Sequence, residues 1–190
     1  MKFGNLELVP LSEELIPAVR DITDRHLGKG LYTEEALREI LKKEHHYFSV
    51  VLDHGKPAAI FYCLAGTADE LKREYVWIPY TGNRICGILR SIAIEVPYRK
   101  AGLSEQLIDH FSRILFEKEN AEKIAVLAWV RDEFVPAAFC LGRCGYSRGH
   151  LISRPWYDSA GLKCNFCGCE HCICDGIFFE KEREASCHEE

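Results

Sequence analysis

The chain has 190 residues, of which 47% are hydrophobic and 28% are charged, and these values are typical of a globular protein rather than a disordered or fibrous one. Its length fits one α/β domain with a small appendage. A net charge of −5 argues against broad electrostatic binding to nucleic acid, which needs clustered Lys and Arg, so no nucleic-acid partner is expected.

No apolar run approaches the roughly 18 to 20 residues that a membrane helix needs, so no membrane partner is expected. Residues 1–10 lack the apolar core of a secretory signal. The expected location is therefore the cytoplasm.

The first elements are predicted to be a strand and two helices. Residues 6–11 form a short apolar strand, and Ser12 is placed to cap a helix whose apolar residues recur at helical spacing as far as Ile22. Thr33 caps a second helix that runs to Leu41.

A hairpin follows. Residues 47–52 and 58–64 are rich in β-branched and aromatic side chains, and a turn segment separates them. Residues 68–77 are predicted as a short helix followed by an edge strand, and residues 78–83 as a loop.

Residues 85–96 form a long apolar run that predicts a central strand. An amphipathic helix starts at Leu103, and residues 124–130 predict another buried strand. A helix from Pro136 ends at Gly145. Residues 146–152 and 176–181 predict a terminal hairpin that a cysteine-rich segment interrupts.

The connection between the central strand and the long helix, residues 94–104, has the features of a phosphate-binding turn. It delivers the chain through Arg99, Ala101 and Gly102 into a helix N-terminus, where unpaired amides and the helix dipole attract anions. Gly102 permits close approach of a ligand to the backbone. Arg99 or Lys100 can add charge-assisted contacts to a pyrophosphate or a 3′-phosphate.

Two segments resemble the GNAT superfamily of N-acetyltransferases. In IAIEVPYRKAGLSEQL, Arg99, Gly102 and Ser104 match the Arg/Gln-x-x-Gly-x-Gly/Ala motif, and AAFCLGRCGY resembles the helix that ends in Gly-Phe or Gly-Tyr, here Gly145 and Tyr146. The order of predicted elements also agrees. The resemblance covers roughly residues 5 to 152 and resumes near Gly176.

The resemblance implies an α/β (α+β) fold with a mixed central sheet flanked by helices, and acetyl-CoA as cosubstrate. It implies that main-chain groups of Ile94 and Val96 bind the acetyl and pantetheine portion, whereas amides of the turn bind pyrophosphate. The implied cofactor-binding residues are Ile94, Val96, Arg99, Lys100, Ala101, Gly102, Leu103 and Ser104.

The sequence departs from the family pattern at three positions. Ser104 replaces the usual Gly or Ala. Leu141 stands where many members have a tyrosine that protonates the departing thiolate, and Phe134 stands where many have an asparagine. Binding of acetyl-CoA is therefore better supported than turnover.

Two residues are candidates for the proton transfers that acetylation of an amine requires. Glu95, at the end of the central strand, is a candidate base, although a solvent-exposed glutamate is the alternative. Tyr157, beyond the sixth predicted strand, can replace the missing acid, or it can pack with Trp156 against the sheet.

Five of the ten cysteines lie within eleven positions, in two C-x-x-C pairs and one further thiol. In a chain without a secretory signal such a cluster favours a metal, with structural zinc first and disulfides, free thiols or a redox sensor as alternatives. The candidate ligands are Cys164, Cys167, Cys169, Cys172 and Cys174.

The predicted organisation is an acetyltransferase-like domain at 1–155, a cysteine-rich inserted loop at 156–175, and the final strand of the same domain with a charged tail at 176–190. The predicted function is acetyl-CoA-dependent N-acetylation of a small-molecule or peptide amine by direct transfer in a ternary complex. The alternative is a non-catalytic acyl-CoA-binding or metal- or redox-sensing protein. A homodimer is left open.

Overall fold

The computed structural model of the chain describes residues 2–159 and 161–184. The charged tail beyond residue 184, with Cys187, lies outside the described residues. The described part forms one mixed sheet with helices on both faces, and a cysteine-rich insertion lies between the last two strands of that sheet. The predicted fold class is thereby confirmed.

Eight strands form the main sheet in the order β1-β2-β4-β5-β6-β7-β10-β8. All neighbours are antiparallel except β6 and β7, which are parallel. Two short strands, β3 and β9, pair separately. The strands are β1 (Lys2–Phe3), β2 (Leu6–Pro10), β3 (Gly28–Lys29), β4 (His46–Asp53), β5 (Lys56–Thr67), β6 (Ile85–Ile94), β7 (Lys123–Trp129), β8 (Ser147–Ile152), β9 (Lys163–Cys164) and β10 (Gly176–Glu182).

Five α-helices cover the sheet because each has one apolar face to bury. One face of the sheet packs against the first three helices, and the other face packs against the last two. The helices are α1 (Ile16–His26), α2 (Glu34–Leu41), α3 (Ala68–Glu74), α4 (Leu103–Arg113) and α5 (Ala138–Arg143). None of the described helices combines the length and the apolar character that crossing a membrane requires.

The helix ends follow local sequence rules. Thr33 caps α2 by accepting from the amide of Ala36, as its position predicts. Thr67 and Glu70 form a reciprocal capping box at α3. The edge strand expected after α3 does not form: residues 75–77 are irregular, since the rings of Tyr75 and Trp77 pack into the core beside α3 instead of alternating along a strand.

The parallel strands β6 and β7 separate in the middle of the sheet. They pair only from Cys86 and Lys123 to Leu89 and Val126, and then both continue without pairing to each other. A bulge in β6 marks the separation, because Arg90 has no partner in β5 between two paired neighbours. The sheet is therefore open along its central pair of strands.

The insertion between β8 and β10 contacts the connection between α1 and α2. Gly28 of β3 pairs with Cys164 of β9, and the Asn165 side chain donates to the carbonyl oxygen of Asp24 at 2.6 Å. A Cβ on Gly28 would lie 2.6 Å from Leu162, so only glycine allows this close approach. The insertion therefore rests on the α1–α2 connection.

Candidate active site and metal centre

The turn after β6 has the backbone conformation of an anion-binding site. Lys100 and Gly102 both have positive φ, 64° and 76°, and Gly102 is the N-cap of α4. Among the described residues, no protein group accepts from the amides of Lys100, Ala101 or Gly102. Together with the first amides of α4, these groups are available to an anionic ligand.

A cavity of about 360 Å³ fills the space between the separated strands. Leu89 to Ile94 of β6 line one side, and Val126 to Trp129 of β7 line the other. The first turns of α4 and α5 contribute Ser104 and Cys140, whose side-chain heteroatoms lie 3.2 Å apart. Of the predicted cofactor residues, Ile94, Arg99 and Ser104 line the cavity. The other five lie between Ile94 and Ser104 in the chain and are not among the lining residues: Val96, Lys100, Ala101, Gly102 and Leu103.

Arg99 folds back over the end of β6. Its Nε donates to the carbonyl oxygen of Ile94 at 2.8 Å, and its Nη2 lies 3.0 Å from Nδ1 of His26. Since the guanidinium can only donate, Nδ1 accepts and His26 carries its proton on Nε2. That nitrogen donates to Glu95 at 2.9 Å.

Glu95 is held as an ion-paired carboxylate. It accepts hydrogen bonds from Arg25 and His26. Partial burial acts to raise the pKa of Glu95, but the bonds from Arg25 and His26 outweigh it, and the pKa lies below the ordinary value. Glu95 does not itself line the cavity, and His26 stands between the two.

The other predicted positions lie as follows. Leu141 is buried and lines the cavity. Phe134 and Val96 are exposed. Tyr157 is also exposed and stacks on His171 with ring centroids 4.8 Å apart, and it is not among the cavity-lining residues.

Four of the five clustered cysteines converge. The sulfur atoms of Cys164, Cys167, Cys172 and Cys174 all lie within 4.8 Å of one another. Cys169, which the sequence spacing placed in a second C-x-x-C pair, is outside this group and donates to the carbonyl oxygen of Cys167 at 3.4 Å. Four of the five candidate ligands therefore lie together, and Cys169 is the one that lies outside the group.

The geometry of this group fits a tetrahedral metal. A zinc ion with Zn–S bonds of about 2.3 Å holds its sulfurs about 3.8 Å apart. The Cys164 and Cys174 sulfurs are 3.8 Å apart, far longer than the roughly 2.05 Å of a disulfide. Cys164 also accepts from the amide of Phe166. Burial acts to raise the pKa of Cys167, but amides of Cys169 and Ile173 lower it below the ordinary value.

The sequence did not single out three residues that line the cavity: His26, Arg90 and Arg131. Arg90 could have been found from the sequence, since it is a charged residue in an otherwise apolar strand. No sequence feature indicates His26, because its partners Glu95 and Arg99 are about seventy residues away.

Comparisons with known proteins agree with this architecture. No protein-family model and no curated protein matches the sequence. Solved structures do match. NAA60 from Arabidopsis thaliana in complex with acetyl-CoA shares 12% identity at a TM-score of 0.72, over 95% of this chain and 99% of that one.

Two further structures show the same likeness. The ribosomal-protein-S18-alanine N-acetyltransferase from Escherichia coli shares 16% identity at a TM-score of 0.65, over 97% and 98% of the two chains. A structure of the NatC complex bound to Gag peptide and CoA shares 18% identity at a TM-score of 0.66, over 95% and 99%. With near-complete coverage of both chains, the protein has the fold of the GNAT N-acetyltransferases.

Proposed function

We propose that the protein is an N-acetyltransferase that binds acetyl-CoA and transfers its acetyl group to an amine. The observation that carries this proposal is the gap between β6 and β7, which leads directly to the amide-rich turn at Gly102. A thioester arm fits the gap, and the turn fits its pyrophosphate. Solved structures with this fold contain acetyl-CoA or CoA.

In the proposed reaction the amine nitrogen attacks the thioester carbonyl carbon, a C–N bond forms and the C–S bond breaks. The amine loses one proton and the departing sulfur gains one. Amides along β6 hold the thioester, and the cavity holds both reactants together, which removes much of the entropic cost of their encounter. Direct transfer in a ternary complex is part of the proposal, since both reactants share one cavity.

The catalytic roles of Glu95 and Tyr157 stay predictions. A proton that leaves an amine in the cavity would reach Glu95 through His26: Nδ1 accepts it once Arg99 has left that nitrogen, and Nε2 passes its own proton to the carboxylate. Tyr157 is outside the lining, so a catalytic role requires the insertion to move when the acceptor binds. If both groups act, Glu95→Gln and Tyr157→Phe each lower kcat by about 10²-fold or more without changing acetyl-CoA affinity.

Calorimetric titration with acetyl-CoA, followed by thiol release over a panel of amines and peptides, tests the function. Saturable binding and acceptor-dependent release of CoA support it, and no binding overturns it.

Leu141 favours a second candidate, a non-catalytic acyl-CoA-binding protein. Binding without thiol release over the whole panel would favour that candidate.

We propose that the four-cysteine group holds structural zinc. A closed set of four thiolates leaves no open position for a substrate, so the ion orders the chain instead of reacting. The small core around it contains Trp156, Leu162 and three of the cysteines, too little to order the insertion alone. Location in the cytoplasm remains a prediction.

A further inference from the structure

The cavity between β6 and β7 has an unusual charge for a protein of net charge −5. Among the described residues, its lining includes three arginines, Arg90, Arg99 and Arg131, and no aspartate or glutamate. Arg99 belongs to the turn that we assign to acetyl-CoA. The other two arginines have no role in the function proposed so far.

Arg90 is a cation placed over an aromatic ring. Its side chain is half-buried, and its guanidinium carbon lies 5.6 Å from the ring centroid of Tyr75. No carboxylate of the described residues lies within 4.0 Å of it, in contrast to Arg20, Arg25 and Arg38 on the surface. Burial acts to lower the pKa of Arg90, but Tyr32 and Tyr75 raise it and the net direction is upward. The side chain therefore stays charged.

Arg131 approaches the same cavity from the end of β7. Its Nε is buried without a hydrogen-bond partner among the described residues, and so is Nε1 of Trp129, two residues earlier. Both are donors, and both residues line the cavity. A buried donor without a partner destabilises the folded state, so two such donors in the wall of one cavity indicate a site for an acceptor group of a ligand.

The position of Arg90 separates it from the coenzyme phosphates. It precedes Ile94 by four residues, or about 13 Å along an extended strand, and the phosphate-binding turn continues away from it. The bulge directs Arg90 and Ser91 toward the face of the sheet covered by α1, where Ser91 bonds Tyr32 at 2.6 Å. Arg90 therefore lies on the side of the thioester opposite to the phosphates.

We infer that Arg90 and Arg131 bind a carboxylate of the acceptor, so that the substrate is an amine that also carries a negative charge. This inference rests on the proposed acetyltransferase function and names its substrate class. A carboxylate can accept hydrogen bonds from two guanidinium groups, and the unpaired donor Nε1 of Trp129 belongs to the same cavity lining. A purely cationic acceptor such as a polyamine would be repelled by the two arginines.

The test compares acceptors that differ only in charge. Glycine, β-alanine, 4-aminobutyrate and 5-aminovalerate place the amine at increasing distance from the carboxylate, and each has a neutral amide. Tetrapeptides with amidated C-termini that begin with Asp or Glu, against Asn or Gln, test whether the carboxylate comes from a peptide side chain. Thiol release is measured with the full-length protein at saturating acetyl-CoA.

We expect kcat/KM of at least one acid to exceed that of its matched amide by at least about tenfold, the usual size of a charge-assisted contact. The intrinsic reactivity of the amines favours the amides, because removing the carboxylate lowers the pKa of the amine and raises its unprotonated, reactive fraction. A preference for the acid therefore has to overcome this difference. If thiol is released but every amide is acetylated as well as its acid, the inference is overturned and the function stands. If acetyl-CoA itself does not bind, the proposed function fails first.

Two variants locate the effect. Arg90→Gln and Arg131→Gln should each reduce the acid-to-amide ratio at least fivefold and leave the dissociation constant of acetyl-CoA within threefold of the wild-type value. Arg148→Gln, on the exposed strand β8, is the matched control and should leave both unchanged. Unchanged acid-to-amide ratios in both cavity variants would contradict the assignment. Arg131 lies outside the hydrophobic core, so Arg131→Gln remains informative if Arg90→Gln is unstable.

Discussion

Trp129 and Trp156 stand with their ring centroids 4.8 Å apart, and together they join the sheet to the cysteine-rich insertion. Trp129 is the last residue of β7, and Trp156 belongs to the small core that includes three of the four converging cysteines. Both rings also line the cavity. A change in the insertion should therefore reach the wall of the cavity through this pair.

Removing the metal should loosen the insertion. We expect the purified protein to contain about one equivalent of zinc and the Cys172→Ser variant to lose it. The variant should also have a Tm lower by about 4–8 °C, which corresponds to a loss of roughly 2 kcal/mol in the free energy of unfolding for a chain of this size. Acceptor KM should rise more than the dissociation constant of acetyl-CoA, because the insertion covers the α1–α2 connection and not the turn at Gly102.

Cys169→Ser is the matched control for that measurement, since Cys169 lies outside the four-sulfur group. It should keep the zinc and the wild-type Tm. Elemental analysis of a reduced preparation and differential scanning calorimetry measure the two quantities. Equal loss of zinc in both variants would show that the ligand set is different from the one assigned here.

The conformation of Gly102 should matter for acetyl-CoA more than for folding. An alanine at φ 76° costs about 1 kcal/mol in the folded state, and its Cβ meets nothing closer than Gln106 at 3.8 Å. We expect Gly102→Ala to weaken acetyl-CoA binding at least tenfold in a calorimetric titration, because the amides of the turn shift. Gly55, at φ 78° in the β4–β5 turn with nothing near its Cβ position, provides the control. Gly55→Ala should show the same loss of stability and unchanged affinity; equal affinities for both variants would refute the assignment of the turn.

The buried pair Ser112 and Tyr146 should contribute to stability. Ser112 Oγ donates to the carbonyl oxygen of Ile108 at 2.7 Å and accepts from the Tyr146 hydroxyl at 2.6 Å. Tyr146→Phe removes one hydrogen bond without a cavity and should lower the free energy of unfolding by about 0.5–1.5 kcal/mol. Urea denaturation of Tyr146→Phe, Ser112→Ala and the double variant measures the coupling. Strictly additive losses would show that the two hydroxyls do not bond.

Glu95 should make stability fall as the pH becomes acidic. Its pKa is lower in the folded state than the ordinary glutamate value, so the unfolded chain binds the proton first and the free energy of unfolding rises with pH between the two values. The contribution is complete above the ordinary pKa, near 4.3, and is lost as pH falls through the lower folded value. Urea midpoints from pH 6.5 to 3 should fall less steeply for Glu95→Gln than for the wild type. The exposed Glu44 serves as a control, and a Glu44→Gln slope that changes as much as that of Glu95→Gln would disprove the assignment.

Local sequence determined most of the secondary structure and the position of the turn that we assign to the coenzyme phosphates. The cap at Thr33 and the break at Gly102 act within one helical turn, so the chain that surrounds them is sufficient to predict them. The prediction of an edge strand before residue 78 was wrong because the structure of this segment depends on distant residues. Tyr75 and Trp77 obtain their burial from distant core residues such as Phe178, which a local pattern does not contain.

Tertiary structure alone decided which side chains meet in the site. Cys174 joins the four-sulfur group and Cys169 does not, because the chain folds back within the insertion, and C-x-x-C spacing does not describe that fold. The bond of His26 to Glu95 connects α1 to the end of β6, and Arg90 with Arg131 share a cavity only because two parallel strands separate. The sequence by itself thus determined most of the elements and the turn that we assign to the coenzyme. The groups that line the cavity come from segments far apart in the chain, and only packing brings them together.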